Sequence, residues 1–491
     1  MANHPDLTYL SPLDKIMPRA YVGQMLCFPS TNPRVSQVLK DGLAGVVADI
    51  PYLLSGVVTS SDRSSISLSE PYQSLEDLFS EVDLTDSVVY ASMKAAHFPP
   101  SAFTLDGMKP PDTLPPYPNP APVFRARLSL VNGGFVLFVA FHHSTTDITG
   151  FGSLLRIWAS HCRTGSSAAA GFDPAWLDRK ALFDPPEAKT EPVPLPENLH
   201  IREPSALSKL GSGGSPAHIG NLKTAIFFFP QRGLRRLKDA VNEHITSSQG
   251  AGTWVSTSDI LTVLLWSSIL AAEAPEPNPP PSPGPKHTTT LGFPANFRSR
   301  LTPPLPPHYL GAAFINTSAT APREDLLSLS TPPSPSTDPP HGPLDPASVS
   351  RIAHLATLIR ASLSRIDDAS VRAALAYLHA QPADHAPVVL GARDDGISVV
   401  SWADEGVYEL GWGEVVGRCE KVRVPTLGFK RNPIVLPRVP AGRYGDGDGD
   451  CGGGGDDEGG LEVIMCFDGR IVESMERNLL VRRFAVLRCC S

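Results

Sequence analysis

Phe135-Val-Leu-Phe-Val-Ala-Phe-His142-His143-Ser-Thr-Thr-Asp147-Ile-Thr-Gly150 is the stretch on which the fold turns. From Gly134 to Phe141 it carries no charge and is rich in Phe and Val, the pattern of a strand buried on both faces. The run from Phe151 to about Cys162 then has helical apolar spacing, so the His-Asp segment is a strand-to-helix loop. Loops held by such a scaffold are where a protein presents imidazole and carboxylate groups. Upstream, Val123 to Leu130 alternates as a half-buried strand does, and Val131-Asn132-Gly133-Gly134 reads as the hairpin turn joining it to the buried one.

Further out, Arg34 to Ala48 places Val35, Val38, Leu39, Leu43, Val46 and Val47 on one helical face. The composition shifts after the central helix. Residues 183–219 are dense in Pro, Glu, Lys, Ser and Gly and read as an interdomain linker, dividing the chain into 1–182 and 220–491. The second half restarts with a strand, Lys223 to Pro230, and an amphipathic helix, Leu234 to His244. Ser256 or Ser258 then caps a helix apolar all round, Asp259 to Leu270. A strand over Thr288–Phe293 leads to Asn296-Phe297-Arg298-Ser299-Arg300-Leu301, where two arginines at a strand exit could hold an anion. Helices over Arg351–Ser364 and Ala369–Ala380, a strand over Leu461–Phe467 and a helix from Val472 to about Val486 complete the pattern.

The 491 residues exceed what one core usually serves, which agrees with two units. A net charge of -8 without a basic cluster gives no footprint for nucleic acid. No apolar run approaches the roughly 20 residues that span a bilayer, and the first twenty residues lack a signal-peptide core. Seven cysteines, an odd count and widely spaced apart from Cys489-Cys490, suit a reducing compartment, so the expectation is an intracellular, cytoplasmic protein, monomeric, with neither membrane nor nucleic-acid partner. Proline is the compositional oddity, with 51 residues concentrated in stretches such as Pro275–Pro285 and Thr331–Pro346, which read as loop insertions. The acidic glycine tract Gly445–Gly460 has too little apolar surface to fold alone.

The chemistry follows from the loop. A neutral imidazole, with an ordinary pKa of about 6.5, can take a proton from a hydroxyl or amine as it attacks an activated carbonyl. His143 is the candidate base and Asp147 a group that holds the local geometry. Spacing alone does not separate this from a pair of hydrogen-bonded core histidines. Zinc is a third reading, but no further ligand stands at suitable spacing, so no metal is expected.

His142-His143-Ser144-Thr145-Thr146-Asp147 resembles the signature of the BAHD acyltransferases and their fungal relatives of the trichothecene O-acetyltransferase kind. Other stretches fall in that family's order: Leu10-Ser11-Pro12-Leu13-Asp14 is similar to its opening segment and Leu39–Val57 to its first helix and turn. Ser256–Ser268 is similar to its buried helix, and Asn296-Phe297-Arg298-Ser299-Arg300-Leu301-Thr302-Pro303-Pro304-Leu305-Pro306 to its Arg-x-Arg-x-x-Pro-Pro-x-Pro segment. Ser401-Trp402 with Gly411-Trp412-Gly413 stands in the place of the late Asp-Phe-Gly-Trp-Gly motif.

The resemblance implies an α/β fold of two similar chloramphenicol-acetyltransferase-like lobes with an active-site channel between them. It implies an acyl-CoA-dependent O-acyltransferase with acyl-CoA, acetyl-CoA by default, as co-substrate and no permanently bound cofactor. A hydroxyl of a terpenoid, polyketide or alkaloid is the implied acceptor. His143 takes the role of general base, Asp147 that of structural support paired with Arg298 (Arg300 otherwise), and Trp402 that of a substrate-binding residue. Three positions depart from the pattern: Ile148 stands where Gly is common, Ala312 where Asn is common, and Glu409-Leu410 where Asp-Phe belongs. Val400 also lacks a side-chain donor where some relatives have one for the oxyanion. Two other functions stay open: a catalytically silent relative that binds a ligand or partner, and a condensation-type enzyme that takes its acyl group from a carrier-protein thioester.

Overall fold

The computed structural model describes residues 10–61, 65–105, 107–183, 221–250, 252–274, 288–330, 344–380, 396–424, 431–442 and 459–491. The linker from residue 184 onward, the Pro275–Pro285 insertion and most of the acidic glycine tract lie outside them.

Gly134–His142 forms the strand expected of its composition, with every residue buried. It lies at the centre of a five-stranded sheet ordered Lys421–Arg423, Tyr21–Phe28, Gly134–His142, Phe124–Val131, Phe79–Asp83. Asn132-Gly133 makes the hairpin turn, and Gly133 takes a φ of +89° that a side chain would strain. The helix Ile148–Thr164 returns across this sheet and buries Phe151, Leu154, Leu155 and Trp158 with Phe135, Leu137, Val139 and Phe141. Gly165, at φ +71°, ends it in the left-handed conformation.

A second sheet runs Val400–Ser401, Ile434–Val435, Gly460–Asp468, Leu222–Pro230, Val486–Cys490, and a three-stranded one runs Phe314–Pro322, Thr288–Asn296, Ile397–Ser398. The two are joined through the chain from Ile397 to Ser401. Phe227, Phe229, Leu461 and Val463 pack under the helix Thr257–Glu273, which has buried residues on every side from Asp259 to Leu270. Its start is a capping box: Ser256 Oγ accepts from the Asp259 amide while Asp259 accepts from the Ser256 amide.

The alternate residues of that sheet turn towards the first lobe. Ile226, Ile434, Ile464 and Trp402 share one apolar cluster with Val22 and Ile148. Farther along the seam Glu462 accepts from Lys421 Nζ at 3.2 Å and from Arg423 Nη1 at 2.7 Å, all three buried. The Lys421–Arg423 strand itself belongs to the first lobe's sheet, paired with Met25–Cys27, so the second half of the chain lends a strand to the first.

One expectation is corrected. The apolar pattern from Val472 to Val486 does not continue as one helix but divides into Gly469–Arg477 and Leu479–Phe484, followed by the edge strand Val486–Cys490. Asn478 breaks it: its backbone is extended and its side chain accepts from the amides of Leu480 and Val481, capping a new helix.

Candidate active site

His142 and His143 sit where the central strand ends, and the structure separates them. His142 is 2% exposed, its Nδ1 accepts from the Ser144 amide at 3.3 Å, and Tyr21 packs edge-on to its ring at a centroid distance of 5.5 Å. Burial, with a smaller contribution from His143, lowers its pKa to about 3. It is the hydrogen-bonded core histidine of the pair.

His143 keeps part of its surface open to solvent although protein surrounds it. Its backbone amide is tied to the Ala20 carbonyl at 2.8 Å. Its Nδ1 lies 3.2 Å from the Thr146 carbonyl oxygen. A carbonyl can only accept, so this contact requires the proton on Nδ1 and leaves a lone pair on Nε2. Burial lowers the ring's pKa, opposed in part by the Thr146 bond and the charge of Asp147. The product is a neutral imidazole in one tautomer, with its basic nitrogen free of that bond.

Asp147 points its carboxylate elsewhere. Arg298 grips it with both arms, Nη1 to Oδ2 at 2.9 Å and Nη2 to Oδ1 at 2.7 Å. The amides of Ala313 and Gly150 add 2.9 and 3.0 Å bonds, so Asp147 is both an N-cap of the helix Ile148–Thr164 and a tie to the second lobe. Arg298 also donates to the carbonyls of Tyr309 and Gly311 and, at 3.4 Å, to Asn296 Oδ1. The pair is buried on both sides, with 4% and 5% of the two side chains exposed. Arg300, the other arginine of the segment, donates to the carbonyls of Leu363 and Ile366 instead.

The departures from the motif have local explanations. Ile148 is the first residue of a regular helix and packs its side chain against both lobes' apolar clusters, so no glycine is required there. Gly150 is different: a Cβ on it would collide with Thr146 Oγ1 and the Leu310 carbonyl, so its value is room between helix and second lobe, and not backbone freedom. Trp412 of the late motif is buried far from solvent between Phe28 and Trp158, at centroid distances of 5.8 and 5.6 Å. Trp402 is 7% exposed and lies in the apolar seam that contains Ile148 and Val22.

Two further residues stand at the site, and one of them carries no signal in the local pattern. Asp14 and Arg179 form a second buried ion pair, Nε to Oδ2 at 2.9 Å, beside the His143 loop. Asp14 is visible in the opening segment, but Arg179 lies 165 residues away with no spacing rule to connect them. No group of three or more His, Cys, Asp or Glu among the described residues is arranged to hold a metal ion.

Two mixed α/β lobes, a central strand ending in the His143 loop, and an Asp-Arg pair fastening that loop agree with the BAHD acyltransferase arrangement that the motif resemblance implied. The Transferase family matches residues 4–331, well over half of the chain, and the chain belongs to that family. It is 25% identical over 465 residues to the O-acetyltransferase ptmV of Penicillium ochrochloron, covering 87% of this chain and 89% of that protein. It is 26% identical over 464 residues to the O-acetyltransferase astG of Aspergillus oryzae, covering 87% of this chain and 94% of the other. Its fold superimposes on that of TRI101 of F. sporotrichioides, solved with coenzyme A and T-2, with a TM-score of 0.73 at 20% identity over 98% of this chain and 99% of that one.

Proposed function

We propose that this protein transfers an acyl group, acetyl by default, from acyl-CoA to a hydroxyl of a specialised metabolite such as a terpenoid, polyketide or alkaloid, with His143 as general base. The observation that carries the reading is the 3.2 Å contact from His143 Nδ1 to the Thr146 carbonyl, which commits the opposite nitrogen to proton acceptance. The acceptor hydroxyl gives its proton to Nε2 as its oxygen attacks the thioester carbonyl. The tetrahedral intermediate then collapses, the C–S bond breaks, and the imidazolium returns the proton to the departing thiolate. No covalent enzyme intermediate is involved. Burial keeps the ring neutral before the reaction and makes its imidazolium a ready acid after it.

In this reading Asp147 touches neither substrate and acts through the loop it fastens. Trp402 and Ile148, in the seam between the lobes, are proposed to line the substrate passage. The named relatives are O-acetyltransferases, and the neighbour of similar fold was solved with coenzyme A and the small molecule T-2, which supports a coenzyme A thioester as donor and a compact hydroxylated acceptor. The test is purified protein with acetyl-CoA and a panel of terpenoid, polyketide and alkaloid alcohols, followed by coenzyme A release and acetyl ester formation. Turnover that disappears in His143→Ala is the expected result; turnover that survives the substitution removes His143 from the chemistry.

A further inference from the structure

The Asp14–Arg179 pair is more costly than a packing element needs to be. Asp14 is 0% and Arg179 6% exposed, and two buried charges gain little over apolar residues of the same shape. What distinguishes the pair is where its remaining bonds go. Arg179 Nη2 donates to the Thr145 carbonyl at 2.9 Å, inside the loop that carries His143. The next carbonyl in the chain, that of Thr146, is the one that receives His143 Nδ1. Asp14 meanwhile accepts from the Ser11 amide at 2.9 Å and, through Oδ1, from the Ala312 amide at 3.0 Å. The following amide, Ala313, donates to Asp147. Two carboxylates from distant parts of the chain therefore hold consecutive amides of the second lobe, and each is paired with an arginine that also donates to backbone carbonyl oxygen, Arg179 to Thr145 and Arg298 to Tyr309 and Gly311. Tyr52 closes the Arg179 site, its ring 5.3 Å from the guanidinium carbon.

We infer that Arg179, held in place by Asp14, is a second positioning residue for the acyl transfer, fixing the Thr145–Thr146 backbone so that the Thr146 carbonyl stays aimed at His143 Nδ1. The inference rests on the reading of His143 as the base. The Asp147–Arg298 pair fixes the helix side of the loop and its distance from the second lobe. The Arg179–Asp14 pair fixes the middle of the loop, where the imidazole's tautomer is set. Misplacing a reacting group by about 1 Å can cost on the order of a hundredfold in rate, so the loss should fall on kcat.

The experiment uses the full chain and three variants: Arg179→Lys, Arg179→Gln and Asp14→Asn. Lysine keeps a charge for Asp14 but lacks the fork that reaches Asp14 and the Thr145 carbonyl together. Expected is a fall in kcat of about tenfold or more for Arg179→Lys, with KM for donor and acceptor within about threefold of wild type and a melting temperature close to it. Arg179→Gln and Asp14→Asn, if they fold, should lose more, and their combination should lose no more than the worse of the two, because they act as one unit. In 15N-histidine-labelled protein, the wild-type His143 ring should report a single Nδ1-protonated tautomer, and Arg179→Lys a mixture. Wild-type kcat with an unchanged tautomer in Arg179→Lys overturns the inference, as does a rise in KM alone. A wild-type protein that turns over no acceptor, yet loses its fixed tautomer in Arg179→Lys, counts against the acyltransferase reading and leaves the positioning role standing.

Discussion

At the scale of the residue, the two adjacent histidines have opposite fates because one nitrogen contact differs. His142 accepts from an amide and is walled in, whereas His143 donates to a carbonyl and keeps an open face. Both pKa values are lowered, and the signs have separate consequences. For catalysis, His143 must be neutral, so kcat/KM should be flat through neutral pH and fall only on an acid limb below the ordinary histidine value of about 6.5. A pH–rate profile with its acid limb above that value contradicts the burial argument. For stability, His142 binds a proton in the unfolded chain at a higher pH than in the folded one. Its contribution is therefore complete above about 6.5 and declines as pH falls towards 3, with a slope of up to about 1.4 kcal/mol per pH unit. Urea unfolding of His142→Gln and wild type across pH 4–7 measures this, with the variant expected to show the shallower acid loss. Glu405 is the mirror case: burial lifts its carboxyl to about 8, opposed by the hydrogen bond that Gln24 Nε2 donates to Oε2 at 2.6 Å. Its stabilisation is complete below the unfolded value of 4.5, declines as pH rises and is gone above about 8, so the stability of Glu405→Gln relative to wild type should rise steadily from pH 4 to pH 8 in urea unfolding and level off by pH 9; a flat difference across that range contradicts the burial argument.

At the scale of the element, the loop from His143 to Asp147 is held by its two ends. Removing charge from Asp147 leaves Arg298 buried among carbonyls without its counter-ion, a loss of about 3–5 kcal/mol for a broken buried pair. Asp147→Asn should therefore lower the melting temperature and also kcat, since the loop carries the base; a variant with both at wild-type values would mean that the pair fastens nothing. Much of this element was legible in the chain. An uncharged Phe/Val run closed by polar residues must be a buried strand meeting a surface, whereas the N-cap role of Asp147 was not legible, because the apolar spacing reads as helical only from about Phe151 and the helix in fact starts at Ile148. Arg179 was not legible, because a side chain that reaches Thr145 from across the fold leaves no periodicity near Thr145. The terminal strand Val486–Cys490 escaped for another reason. The apolar spacing on either side of Asn478 continues in phase, and only the extended backbone at Asn478 shows that one helix stops and another starts.

At the scale of the whole molecule, two lobes meet along a seam that is apolar near Ile148 and Trp402 and charged near Glu462. Burial would push the Glu462 carboxyl up, but Arg423 and Lys421 outweigh it and hold it at about 2. Glu462→Gln removes the carboxylate that faces two buried cations and should cost several kcal/mol, on the order of 3–5, read by urea unfolding. An unchanged unfolding midpoint would show that the lobes do not depend on this contact. That the Lys421–Arg423 strand crosses to the first lobe could not be read from sequence, because three residues have no period of their own and only their partner strand assigns them a sheet. The central claim is that this seam presents one neutral imidazole to an acyl thioester and a hydroxyl. The most direct measurement is single-turnover coenzyme A release from acetyl-CoA in the presence of an acceptor alcohol, compared between wild type and His143→Ala. The account predicts release with matching ester formation in the wild type and a loss of at least a hundredfold, on the order of general-base contributions, in the variant; equal release in both would contradict it.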